Sequence, residues 1–282
     1  MIACSDMPRP RRIQAAGLTY HVTGRGVRRS SIYLDEVDRR RFVKLLAGVV
    51  QRYALLCHAY CEMTNHYHLA ITTLEPNVSS AMRYLNGRYA QWWNWRHRRT
   101  GHLFDKRFDA QIVQESTHLA NVCRYIALNP VRAGIVVSPE EWSWSSYRAT
   151  IGSMRPPRFL DCTRLLAAMG DESPATGARR FHEWVRGTDA ASAQLSRCRI
   201  LGDEAFVAYI KTLYPVASCE APNDEKQRTL ASIFDGMNTK SLRNQAVAVA
   251  AAEQFTLTDI ARFLKLDVST VSKIVSSRPV RP

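Results

Sequence analysis

Along the first half of the chain, stretches with a period of two residues take turns with stretches of helical period. Thr19-Tyr20-His21-Val22-Thr23 alternates as a strand and runs into Gly24-Arg25-Gly26, which suits a tight turn near a ligand backbone. Residues 35–53 carry Val37, Phe42, Leu45, Leu46 and Val49 at helical spacing, with a basic face at Arg39, Arg40, Arg41 and Lys44. Residues 54–63 are rich in apolar and aromatic side chains, Thr64-Asn65 supplies turn chemistry, and Leu69-Ala70-Ile71-Thr72-Thr73 is strand-like again. Together they predict an antiparallel hairpin. Asn77-Val78-Ser79 caps a helix reaching about residue 99, with Met82, Leu85, Tyr89, Trp92 and Trp93 interleaved with Arg83, Arg88, Arg96, Arg98 and Arg99. A loop over 101–108, a strand over 109–114 and a helix opening at Glu115-Ser116-Thr117 follow. That helix is expected to stop at Asn129-Pro130, because the residue before proline disfavours the α region. Ile135-Val136-Val137 reads as one more strand. The order strand, helix, hairpin, helix, strand, helix predicts an α+β fold, an antiparallel sheet with helices on one side.

The second half carries a different pattern. Pro- and Gly-bearing stretches at 152–158 and 170–177 read as linker and loops. Short helices are expected over 181–250, including 203–213 and 241–253. Residues 255–274 form two short amphipathic stretches around Lys265-Leu266-Asp267, with Thr258 capping the first and Asp267 or Ser269 the second. Ile260, Ala261, Leu264, Val271 and Ile274 would bury between them, leaving Ser269, Thr270, Ser272 and Lys273 outward. The expected organisation is a domain over 1–150, a linker with connecting helices over 151–200, and a helical domain over 201–282.

Composition narrows the class of partner. The 282 residues hold 39 Lys and Arg against 25 Asp and Glu, a net charge of +14. Residues 1–150 carry 21 basic and 11 acidic side chains, so +10 of the excess lies there. A polyanion is the natural partner of such a half, since phosphate neutralisation drives affinity without regard to sequence. No apolar run approaches about 18 residues, which argues against a membrane span, and residues 1–12 lack the apolar core of a signal peptide. The seven Cys are scattered without a Cys-x-x-Cys pair, the pattern of a reducing cytoplasm.

Candidate chemistry centres on Met63-Thr64-Asn65-His66-Tyr67-His68-Leu69-Ala70. On a strand, His66 and His68 project from one face and Tyr67 from the other. Two adjacent imidazoles on a pleated surface suit a metal ion; one core and one solvated histidine would give the same spacing. Arg25, Arg28 and Arg29 cluster at the end of the first strand, as phosphate contacts or as solvated turn charges. Cys57, His58 and Cys61 match no usual zinc spacing and read as buried small side chains. The aromatic and Arg positions of 77–99 could stack bases, although such a stripe is also what a core needs, and Trp92 or Trp93 is assigned to the core. Tyr125 and Asn129 are four apart and share a helix face.

Tyr20-His21-Val22-Thr23-Gly24-Arg25-Gly26, then Met63-Thr64-Asn65-His66-Tyr67-His68-Leu69, then Arg124-Tyr125-Ile126-Ala127-Leu128-Asn129-Pro130-Val131-Arg132-Ala133-Gly134, and Trp144-Ser145-Ser146-Tyr147 appear in that order. In these blocks, over roughly residues 14–150, the chain resembles a REP-associated tyrosine transposase of the HUH single-tyrosine superfamily. It departs at Thr64, where Pro is usual, and at Gly24, where Asn or Ala is commoner. The resemblance implies a ferredoxin-like HUH nuclease fold and a metal-dependent endonuclease and strand transferase. Such an enzyme cleaves single-stranded DNA beside hairpin or palindromic repeats through a covalent 5′-phosphotyrosine. It also implies Tyr125 as nucleophile, His66, His68 and Asn129 as ligands of Mg²⁺ or Mn²⁺, and Arg25, Arg28, Arg107 and Arg132 against DNA. Residues 200–278 resemble the helix-turn-helix of replication initiators, with Ser269, Thr270, Ser272 and Lys273 facing the major groove. The expected location is the bacterial cytoplasm, associated with the nucleoid, as monomer or homodimer. The alternative is a sequence-specific DNA-binding regulator that keeps a transposase fold without catalysis.

Overall fold

The computed structural model describes residues 12–115, 117–170, 173–187, 195 and 198–214, and beyond them 234, 243–244, 246–247, 250, 257–264 and 266–276. The chain divides into two compact units, Met1–Cys219 and Glu220–Pro282. The fold is α+β, as expected. Among the described residues no helix is long and apolar enough to cross a membrane.

The first unit is built on one sheet. Strands β1 (Thr19–Arg25), β2 (Leu55–Glu62), β3 (His66–Thr73), β4 (Asp109–Val113) and β5 (Ile200–Leu201) lie in the order β2-β3-β1-β4-β5. The β1–β3, β1–β4 and β2–β3 pairs are antiparallel, while β5 adds to β4 in parallel. The expected hairpin closes at Met63-Thr64-Asn65, where the Met63 N–H donates to the His66 carbonyl at 2.8 Å. Thr19-Tyr20-His21-Val22-Thr23 is a strand as read, but Gly24 and Arg25 continue it, and the turn comes at Val27–Arg29.

Helix α1 (Glu36–Arg52) begins where Asp35 accepts hydrogen bonds from the backbone N–H groups of Val37 and Asp38. Its Phe42, Leu46, Val49 and Val50 are buried. Two side chains depart from the expected pattern: Val37 is half exposed, and Arg39 leaves the basic face to lie buried. The Arg39 guanidinium donates to the Glu62 carbonyl at 2.9 Å and packs over the rings of Tyr33, Trp142 and Trp144. An apolar stem and a flat cation favour an aromatic box over water once the donors are satisfied. Helix α2 (Val78–Arg96) buries Val78, Met82, Leu85, Tyr89 and Trp93, so Trp93 is the core tryptophan.

Helices cover both faces of the sheet rather than one. Tyr20, Val22, Tyr67, Leu69 and Ile71 share a buried cluster with α1 and α2 residues. Cys61, Ala70 and Val113 share the other cluster with Leu119, Val122, Cys123 and Ile126 of α3 (Thr117–Arg132). On β3 the consecutive Leu69, Ala70 and Ile71 put apolar side chains on both faces, so both need cover. The short α4 (Tyr147–Thr150) and α5 (Thr163–Ala168), then α6 (Pro174–Arg186), come next. α6 begins inside the stretch expected as loop, with Ser173 accepting from the Thr176 N–H. The strand β5 and α7 (Glu204–Leu213), capped by Asp203, also lie in this unit.

Two expectations around α3 are corrected. The helix does not stop at Asn129-Pro130 but carries Pro130 inside it and ends at Arg132. Gly134, at φ 66°, makes the stop: its N–H donates to the Val131 carbonyl and the Ile135 N–H to the Pro130 carbonyl, each at 2.9 Å. Nor is Ile135-Val136-Val137 a strand. Val137 is 88% exposed, and β-branched propensity does not make a strand without an edge to pair with.

In the second unit, α8 (Leu257–Leu264) and α9 (Val268–Ser276) bury Ile260, Ala261 and Val271 together with Ala246, Val247 and Ala250. Leu264 and Ile274 pack partly buried against them. Asp267 immediately precedes α9, whereas Thr258 falls inside α8 instead of capping it. Most of the helix expected over 241–253 lies outside the described residues.

Gly24 and Tyr67 face each other across the β1–β3 ladder. A Cβ on Gly24 would sit 2.5 Å from Cε1 of Tyr67, so the bulky residue between the two histidines requires glycine opposite it. Gly24→Ala is expected to cost about 1–3 kcal/mol in urea unfolding. In a Tyr67→Leu background most of that cost should vanish; an unchanged cost there would show that the two positions are not coupled.

Candidate active site

Strand alternation sorts His66, Tyr67 and His68 as expected. Tyr67 enters the first cluster, tilted against Phe42 with its hydroxyl donating to Asn86 Oδ1 at 2.8 Å. His66 and His68 point to the opposite face, their ring centroids 4.9 Å apart. His66 Nδ1 lies 2.7 Å from Asn65 Oδ1. His68 is buried, its Nδ1 lies 2.9 Å from His21 Nε2, and its Nε2 is buried without a hydrogen-bond partner.

Burial governs the protonation of these rings. It lowers His66 from an ordinary 6.5 to about 4, with the nearby Arg25 charge adding to the effect. His21 is lowered to about 4 by burial, partly countered by its hydrogen bond to Gln111. His68 is driven well below the ordinary value by burial, then by His21, His66, Arg25 and Arg132. Neutral imidazole is the form that ligates metal. A buried, unpartnered imidazole nitrogen beside a second neutral imidazole therefore fits a metal ion. Among the described residues, no set of three or more His, Cys, Asp and Glu side chains is gathered around such an ion. Further ligands would be of another type, such as an amide oxygen or a phosphate.

Helix α3 lays Tyr125 over this pair. The phenol ring stands edge-on to His68 at 5.7 Å and to His21 at 5.8 Å between centroids. The Arg132 guanidinium lies 4.9 Å from the centre of the same ring. Asn129, one turn beyond Tyr125 and 8% exposed, donates through Nδ2 to the Tyr125 carbonyl at 2.8 Å, which leaves Oδ1 for another partner.

Of the residues read from sequence, His66, His68, Tyr125 and Arg132 come together, with Asn129 on the adjoining turn. Arg25 is the cross-strand partner of His66. Arg28 is exposed at φ 50°, and Arg107 is exposed in the loop before β4. Cys57, His58 and Cys61 are buried; Cys61 is the cross-strand partner of His68, while His58 bonds to Thr72 Oγ1 and the Asp161 carbonyl. In the second unit Ser269 and Thr270 are exposed and Ser272 is half-buried, while the Lys273 side chain lies outside the described residues. His21 and Gln111 were not picked out from sequence. The signal was present: in Thr19-Tyr20-His21-Val22-Thr23 the histidine takes the face opposite Tyr20 and Val22.

The sheet thus carries paired histidines beneath a helix-borne tyrosine, and comparison with known proteins finds similarity over this part of the chain. Residues 14–129 match the family model described as transposase IS200 like. A solved structure of a REP-associated tyrosine transposase bound to a REP hairpin is 20% identical, with a TM-score of 0.46 over 56% of this chain and 94% of that chain. No curated protein matches the chain.

The lowered histidines predict acid sensitivity. A buried neutral imidazole takes up its proton less readily folded than unfolded. Below 6.5 the unfolded chain therefore binds more protons, and stability falls as pH drops towards about 4. In the metal-free protein, the His66 ring proton should titrate near 4 by NMR. Titration near the ordinary 6.5 would contradict the burial assigned to it.

Proposed function

We propose that this protein is a metal-dependent single-stranded DNA endonuclease and strand transferase that cuts beside hairpin or palindromic repeats, with Tyr125 as nucleophile. The observation that carries the reading is the edge-on approach of the Tyr125 ring to His68, whose buried Nε2 has no protein partner. The family match supports transposase chemistry in general.

His66, His68 and Asn129 would hold a divalent cation, Mg²⁺ or Mn²⁺, which supplies Lewis-acid polarisation of a bound phosphate. A phenol is a weak nucleophile at neutral pH because it holds its proton. The Tyr125 oxygen attacks the scissile phosphorus and forms a P–O bond as the bond from phosphorus to the 3′ oxygen breaks. The phenolic proton passes to solvent and the departing 3′ oxygen takes one up. The product is a 5′-phosphotyrosine and a free 3′-hydroxyl. No water enters, so the phosphodiester energy is kept for rejoining to another 3′ end. Arg132 over the Tyr125 ring and Arg25 beside His66 supply positive charge where phosphate must sit. Arg28 and Arg107 extend that charge to flanking phosphates, in line with the +10 excess of residues 1–150. The helix pair α8 and α9 reads the stem of the hairpin through Ser269, Thr270, Ser272 and Lys273.

Purified protein incubated with hairpin-bearing single-stranded DNA should give a nick and a protein–DNA adduct only with Mg²⁺ or Mn²⁺. Tyr125→Phe should abolish both and leave DNA affinity within about threefold. Binding without a nick across several hairpins would favour the regulator instead. Thr270→Glu should weaken stem binding at least tenfold without changing nicking of a short unpaired strand; unchanged stem affinity would remove α9 from the interface.

A further inference from the structure

The two histidines are each tied to a side-chain amide that is itself anchored on a backbone carbonyl. Gln111 donates through Nε2 to the Cys198 carbonyl at 2.7 Å, which turns its Oε1 towards His21 Nδ1, 3.0 Å away. An amide oxygen only accepts, so His21 Nδ1 carries the proton and His21 Nε2 is a lone pair. His68 Nδ1, 2.9 Å from that lone pair, must then be the donor. The second arm is shorter. Asn65 donates through Nδ2 to the Arg29 carbonyl at 2.9 Å, leaving its Oδ1 to accept from His66 Nδ1 at 2.7 Å. Arg29 stands at φ 59° in the turn after β1. Reversing any one link sets two acceptors or two protons face to face, so a single proton arrangement satisfies both arms.

We infer that Asn65 and the His21–Gln111 pair are positioning residues that lock His66 and His68 as Nδ1–H tautomers, so that both Nε2 lone pairs face the metal position. This rests on the metal reading given above. It also assigns a task to the chain beyond the family match: the carbonyl that orients Gln111 belongs to Cys198, just before β5, whereas the match ends at residue 129. Partners of this kind fix the ring and the tautomer of a ligand, and their loss typically costs about 10–100-fold in metal affinity.

The test uses full-length protein with ¹⁵N-labelled histidine and no metal, above the ordinary imidazole pKa. Long-range ¹H–¹⁵N spectra distinguish the two tautomers directly. The wild type should show Nδ1–H at His66 and His68. Gln111→Leu and His21→Phe should give mixed tautomers at His68 only, and Asn65→Ala at His66 only, while Asn65→Asp retains the acceptor and the wild-type pattern at His66. Mn²⁺ titrated without DNA should bind about 10–100-fold more weakly to Gln111→Leu, a variant remote from both ligands. Nε2–H at His68 in the wild type, or tautomers unmoved in both Gln111→Leu and His21→Phe, would overturn the relay. If the expected tautomers appear but no Mn²⁺ site sensitive to His66→Ala is found, the metal reading fails and the tautomer assignment stands on the spectra.

Discussion

The two-residue repeat of a β-strand is the constraint on which the rest of this structure depends. On β3 it drives Tyr67 into the core between Phe42 and the bare backbone of Gly24, and so fixes His66 and His68 on the other face. A slip of one residue would turn both imidazoles towards α1 and α2 and the tyrosine towards α3. The tight fit of Tyr67 against Gly24 makes such a slip costly. The site is therefore held by packing on the face of the sheet that carries no chemistry.

The other half of the site comes from α3. Its apolar side chains Leu119, Val122, Cys123 and Ile126 press on the sheet, and that docking decides where Tyr125 falls. The helix runs through its internal proline to the left-handed stop at Gly134, and Asn129 turns back to the Tyr125 carbonyl. Tyr125, Asn129 and Pro130 thus occupy two adjoining turns. A change in any one of them is expected to disturb the others.

Much of this was legible in residue patterns. The hairpin, α1, α2 and the facing of His66, Tyr67 and His68 follow from periodicity alone. The grouping of Tyr125 with the histidines did not; it came from resemblance, since periodicity gives a helix face but not what that face meets. The end of α3 was misjudged because Pro130 disfavours helix locally, while the docked apolar stripe and the Gly134 cap outweigh that preference. Ile135-Val136-Val137 failed as a strand for the converse reason, propensity without a partner. Arg39 was assigned to a basic face because sequence shows its charge but not the aromatic side chains from residues 33, 142 and 144 that enclose it. The amide anchors at Arg29 and Cys198 are invisible in sequence, since a backbone carbonyl leaves no residue signature.

The central claim is that the tyrosine laid over the histidine pair takes the DNA covalently. Of the 11 tyrosines in the chain, only Tyr125 is assigned that role. The most direct measurement is mass spectrometry of a trypsin- and nuclease-treated reaction with hairpin DNA and Mn²⁺. The account predicts a nucleotide adduct on the peptide spanning residues 125–132, located at Tyr125. A nicked strand with no adduct, or an adduct on another tyrosine, would contradict it.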